Sequence, residues 1–139
     1  YSPMLDEMKA LAHEYGLDDV IKLLPWLSHE ETLGYLQKSL FYITTSLYEG
    51  LPIAVLEAMA MGKAIVATDV IGNRDCVKDG ENGFLLANDA DAFAKKACEL
   101  IEKDELRERM GKNSKTLFEN DFLIDNRIKA LEDIYLGNK

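Results

Sequence analysis

The chain has 139 residues, 47% of them hydrophobic and 29% charged, which is enough for one buried core and is not the composition of a disordered segment. A net charge of −9 excludes a surface built to neutralise nucleic-acid phosphates and disfavours direct docking on an anionic membrane. Cys76 and Cys98 are too few and too far apart for a disulfide framework or a zinc site, and both read as small buried hydrophobes in a reducing compartment. No stretch reaches the roughly 18 apolar residues that span a bilayer, so the simplest reading is a cytoplasmic protein. The first residue is Tyr1 rather than Met and a helical pattern follows at once, as expected of a piece of a longer chain.

Over residues 2–15, Met4, Met8, Leu11, Ala12 and Tyr15 recur at helical spacing, with Gly16 where a helix ends. Residues 20–24 form a short apolar run closed by Pro25, a strand candidate. Ser28 followed by Glu31 has the form of a capping box opening a helix to about Lys38. Residues 40–45 are aromatic and β-branched and read as a buried strand. An apolar helix is expected over 52–61, closed by Gly62, and a second buried strand over 64–68. A short helix near 75–77 leads through the turns Asp79-Gly80 and Asn82-Gly83 to a strand over 84–86. Helices are predicted near 89–102, 104–119 and 123–136. The first has Asn88 or Asp89 at its cap and Phe93, Ala97, Leu100 and Ile101 facing inward, and the charged stretch 102–115 reads as a solvated helix face.

Strands alternating with helices imply an α/β fold, a parallel sheet covered on both faces, as one domain over 1–139. Such sheets bind ligands beyond the carboxyl ends of their strands. Three segments fall at that edge: 26–29, 46–52 and 68–74. In the second, Gly50 allows a tight turn and Pro52 suits the start of a helix, with no Ser, Thr, Asp or Asn immediately before it. An uncapped, Gly-preceded helix start is suited to phosphate or hydroxyl oxygens. Glu57 is the one charged residue of this helix, and a carboxylate there needs a polar partner. A ribose offers two adjacent hydroxyls, and Glu57 lies about 6 Å along the axis from Ile53. With a diphosphate at the helix start, Glu49 then falls nearer the sugar end of such a ligand. Electrostatic capping by Glu49 and pairing of Glu57 with a lysine are the simpler alternatives. His13 and His29 lie in no cluster that would hold a metal.

Residues 46–62 read Ser-Leu-Tyr-Glu-Gly-Leu-Pro-Ile-Ala-Val-Leu-Glu-Ala-Met-Ala-Met-Gly. The segment resembles the Ser-x-x-Glu-Gly-Leu-Pro-x-x-x-Leu-Glu-Ala-Met-Ala-x-Gly signature of retaining family-4 glycosyltransferases at every fixed position. Residues 20–38, 64–70, 72–75 and 79–85 extend the resemblance over nearly the whole chain, and Gly72-Asn73-Arg74-Asp75 resembles the branch that builds bacterial capsular and surface polysaccharides. The resemblance implies the donor-binding, carboxyl-terminal half of a B-type fold of two facing Rossmann-like domains, without its first strand and without the amino-terminal acceptor domain.

It further implies that Glu49 is catalytic, contacting the donor sugar near the reacting centre, and that Glu57 holds the ribose. Gly50, Leu51, Pro52 and Ile53 would offer backbone to sugar and phosphate. By their places at the sheet edge rather than by the resemblance, Trp26 could wall a base pocket or be a packed or rim aromatic, and Asn73 and Arg74 could reach donor or acceptor. The implied partners are a nucleotide diphosphate sugar and an acceptor glycan or lipid-linked sugar held by the missing half. That half would also make any contact with the inner face of a membrane. No metal or cofactor is implied. Pro25 and Ile71 stand where many members have Gly, and the family's diphosphate-gripping Arg and Lys fall upstream of Tyr1. Two other readings remain: a nucleotide-sugar epimerase domain, which would lack the Glu-Gly-Leu-Pro run, and a non-catalytic nucleotide-binding module.

Overall fold

The computed structural model describes residues 3–124, 128, 132 and 134–136. The chain divides into two compact units, Tyr1–Gly34 and Tyr35–Lys139.

The first unit opens with helix α1 (Pro3–Glu14). It ends in a left-handed Gly16, φ 65°, with the Leu17 and Gly16 amides donating to the Ala12 and His13 carbonyls, a Schellman cap. The periodic apolar stripe is real, yet Met4, Met8, Leu11 and Tyr15 are exposed and Ala12 alone of the five is buried. The strand expected over 20–24 does not form. A strand exists only through ladder hydrogen bonds to a neighbour, and the described residues of the first unit contain no other strand. Helix α2 (His29–Lys38) begins with the expected capping box: Glu31 accepts from the Ser28 amide at 2.9 Å and the Glu31 amide donates to the Ser28 hydroxyl at 3.2 Å.

The second unit is built on strands β1 (Phe41–Thr44), β2 (Ala64–Thr68) and β3 (Gly83–Leu86), all parallel, in the order β1-β2-β3. Helix α3 (Ile53–Ala60) joins the first two strands and α4 (Ile71–Cys76) joins the last two. The α4 helix starts four residues before the expected position because Ile71-Gly72-Asn73-Arg74 joins it. Helices α5 (Ala90–Glu102) and α6 (Asp104–Asp121) follow. The Asp89 side chain caps α5 by accepting from the Ala92 amide at 2.7 Å. The helix expected over 123–136 falls on residues that lie largely outside those described.

All five residues of β2 are buried. Ala64 and Val66 join Phe84, Phe93, Leu100 and Met110 in one core cluster. Ile65 and Ala67, which alternate to the opposite face, are equally excluded from solvent. The sheet is therefore covered on both faces at its centre. By contrast β1, expected to be buried, is the outer strand among the described residues, with a neighbour on one side only and Ile43 exposed. Ile101 and Cys98, also expected inside, are exposed, because the buried stripe of α5 runs through Phe93 and Leu100.

Candidate functional site

Because β1 and β2 are parallel and in register from Phe41↔Ala64 to Thr44↔Ala67, the loops that follow them leave the sheet side by side. The first is the signature turn, residues 45–52. The second leads into α4. Thr68 Oγ1 donates to the Ser46 carbonyl at 2.5 Å, and the Gly72 amide donates to the Glu49 carbonyl at 3.1 Å. A Cβ on Gly72 would stand 2.5 Å from the Gly50 carbonyl oxygen, so only glycine allows this approach.

The α3 helix starts at Pro52 with no side-chain cap and no acidic residue in its first turn, and its first backbone bond is from the Leu56 amide to the Pro52 carbonyl at 3.1 Å. The amides of residues 53–55 are thus left for an external acceptor at the positive end of the helix dipole. Leu51 and Ile53 are exposed and Pro52 is buried, which pins the helix start to the body of the unit. The helix closes on Gly62, φ 67°, with the Lys63 and Gly62 amides donating to the Ala58 and Met59 carbonyls. The Lys63 ammonium reaches the end of α2, donating to the carbonyls of Gln37 at 2.8 Å and Ser39 at 2.6 Å.

Glu49 in the turn and Glu57 in the second turn of α3 are both half-buried. The residue that links them went unnoticed in the sequence. The Tyr42 phenol is pushed above its ordinary pKa by burial first, then by the negative charge of Glu49, with Glu57 adding in the same direction and a hydrogen bond with Thr44 opposing. Both carboxylates therefore act on one side chain of β1. Tyr42 and Thr44 share a face of that strand by alternation, and Thr44 Oγ1 meets Ser46 Oγ at 3.1 Å. The period-2 pattern of residues 40–45 was the available signal; the run's uniform apolarity hid which face carried the phenol.

The remaining candidates lie differently from expectation. Asn73, expected at the crevice edge, is 0% exposed. Its amide nitrogen donates to the Thr68 carbonyl at 2.9 Å, which ties its side chain to the end of β2. Arg74 is exposed but engaged by Asp69, with Nε and Nη2 at 2.5 and 3.1 Å from the two carboxylate oxygens. That fork raises the arginine pKa and lowers that of Asp69. Trp26 is 97% exposed, in the first unit, at the end of a segment that forms no strand.

The model of the family "Glycosyl transferases group 1" matches residues 1–117. The chain belongs to this family. It is 31% identical over 134 residues to the UDP-Gal:alpha-D-GlcNAc-diphosphoundecaprenol alpha-1,3-galactosyltransferase of Escherichia coli, covering 93% of this chain and 34% of that enzyme. Among solved structures it is similar to the C-terminal domain of the group 1 glycosyl transferase LpcC from Francisella tularensis, at 25% identity and TM-score 0.80. That similarity covers 88% of this chain and 66% of that one. HepE of Anabaena, solved in complex with UDP, shares the fold at TM-score 0.83 and 23% identity, over 92% of this chain and 36% of that one. The chain spans about a third or less of the length of the curated relatives it matches. No helix among the described residues is long and apolar enough to cross a membrane.

Proposed function

We propose that this chain is the donor-binding part of a retaining, metal-independent family-4 glycosyltransferase that moves a sugar from a nucleotide diphosphate sugar to a glycan or lipid-linked acceptor in polysaccharide or glycolipid biosynthesis. The observation that carries the reading is the run from Glu49 to Glu57 at the carboxyl edge of a parallel sheet, with an uncapped helix start between the two carboxylates. In this reading Glu57 accepts from the ribose hydroxyls. The free amides at the start of α3, with the backbone of Gly50 and Leu51, face the diphosphate, and Glu49 lies against the donor sugar. Charge developing on the leaving diphosphate is met by helix-end dipoles and by basic side chains supplied elsewhere in the full-length protein, in place of a divalent ion. The acceptor assignment is supported by the named substrate of the Escherichia coli relative. A lipid-linked acceptor of that kind supports a cytoplasmic reading for the full-length protein, with any contact at the inner face of the membrane made through its other half.

The test uses the full-length protein and two substitutions. Glu57→Gln removes charge where the ribose binds, so calorimetry should show weaker binding of the bare nucleoside diphosphate, by about tenfold for one charge-assisted hydrogen bond. Glu49→Gln should lower turnover while leaving that affinity nearly unchanged. Equal nucleotide affinity in wild type and Glu57→Gln removes the ribose assignment. Transfer should also survive EDTA; loss on chelation, restored by magnesium or manganese, refutes metal independence.

A further inference from the structure

We propose that Thr68, Gly72 and Asn73 act as one brace that sets the position of the Glu49–Gly50 turn, which makes them positioning residues for sugar transfer. The inference rests on the assignment of Glu49 to the donor sugar. Two carbonyls of the turn take their donors from across the sheet edge: Ser46 from the Thr68 hydroxyl at 2.5 Å and Glu49 from the Gly72 amide at 3.1 Å. Gly72 is the second residue of α4, so its amide is one of the helix-start donors that has no partner within the helix. It is spent on the turn.

Thr68 is 2% exposed, and its own position is set in turn by Asn73, whose amide nitrogen donates to the Thr68 carbonyl at 2.9 Å and lies 3.4 Å from Oγ1. Contact reinforces these bonds. A Cβ at position 72 would meet the Gly50 and Glu49 carbonyl oxygens at 2.5 and 2.6 Å. Both are backbone atoms, and neither can swing aside as a flexible side chain would. The turn that carries Glu49 is therefore fixed from β2 and α4. Displacement of the turn by one ångström is enough to misalign a group at a reacting centre.

The test again uses the full-length enzyme, comparing Thr68→Val, Thr68→Ser and Gly72→Ala, with Glu49→Gln as reference. Valine keeps the shape of threonine and removes the donor; serine keeps the donor and removes a methyl. The expected result is that Thr68→Val lowers kcat roughly ten- to hundredfold, while affinity for a bare nucleoside diphosphate changes less than about threefold; Gly72→Ala, whose Cβ also presses on the Gly50 carbonyl beside the diphosphate, should lower both. Thr68→Ser should restore kcat to within about threefold of wild type. A merely structural role predicts something else: kcat, nucleotide affinity and melting temperature falling together, with serine no better than valine. That pattern, or wild-type kcat in Thr68→Val, overturns the brace. If Gly72→Ala does not fold, the threonine pair decides alone. Glu49→Gln that loses turnover beside a fully active Thr68→Val removes the brace only. Glu49→Gln with wild-type turnover removes the assignment of Glu49, and the brace with it.

Discussion

Replacing Asn82 by alanine should destabilise the second unit more than any turn residue on a surface would. Asn82 belongs to a turn motif, yet it is 0% exposed. Its Oδ1 accepts from the Lys78 amide at 2.7 Å and its Nδ2 donates to the Cys76 carbonyl at 3.2 Å. Its carbonyl accepts from the Ile65 amide and the Ser114 hydroxyl, each at 3.2 Å. One residue thus ties the end of α4, the start of β2 and the middle of α6. Alanine keeps the backbone bonds and removes the side-chain pair. The Cys76 carbonyl, left buried without its donor, costs about 1–3 kcal/mol. The part-buried Lys78 amide, which water can partly reach, costs about 0.5–1.5 kcal/mol. The expected loss is therefore about 1.5–4.5 kcal/mol. Urea unfolding of wild type and variant reads it as a lower midpoint at unchanged m. A loss below about 1 kcal/mol would show that Asn82 is an ordinary turn residue and refute the reasoning. In Asn82→Asp the carboxylate cannot donate to Cys76 until it is protonated, so its deficit should shrink as pH falls.

The two cysteines should behave oppositely. Cys98 is exposed and should react with a thiol reagent in the native protein, while buried Cys76 should react only after unfolding; simultaneous reaction of both would contradict the packing of α4. Burial, with Asp75 adding and Lys78 opposing, pushes the Cys76 thiol up from 9.0 to about 11. A pKa raised on folding stabilises below the unfolded value, so this contribution should fade as pH rises from 9.0 to about 11. Cys76→Ala should flatten the stability curve in that window relative to wild type. Finally, Glu49→Gln should lower the pKa of the Tyr42 phenol by removing one of the charges that raise it. An ultraviolet or carbon-13 titration that shows no change would separate Tyr42 from the site.

Local pattern determined much of this protein. The capping box at Ser28 and Glu31, the glycine-terminated helices α1 and α3, the Asp89 cap and the apolar run of β2 each depend on residues within a few positions of one another. Short-range chemistry was enough to place them. The signature from Ser46 to Gly62 likewise carried its own turn, helix start and carboxylates. Other features depend on neighbours distant in the chain. Among the described residues, 20–24 have strand composition but no strand partner in their unit, and β1 is apolar yet flanked on one side only. Asn73 and Asn82 look like loop residues and are buried brackets, Asn73 bonding from α4 to the Thr68 carbonyl of β2 and Asn82 bonding to Cys76, Ile65 and Ser114. Tyr42 comes under the charge of Glu49 and Glu57 only once β1, the signature turn and α3 are assembled. A hydrogen-bond partner, an edge or a shared electrostatic field belongs to a pair of segments, and that pairing exists only in the folded chain.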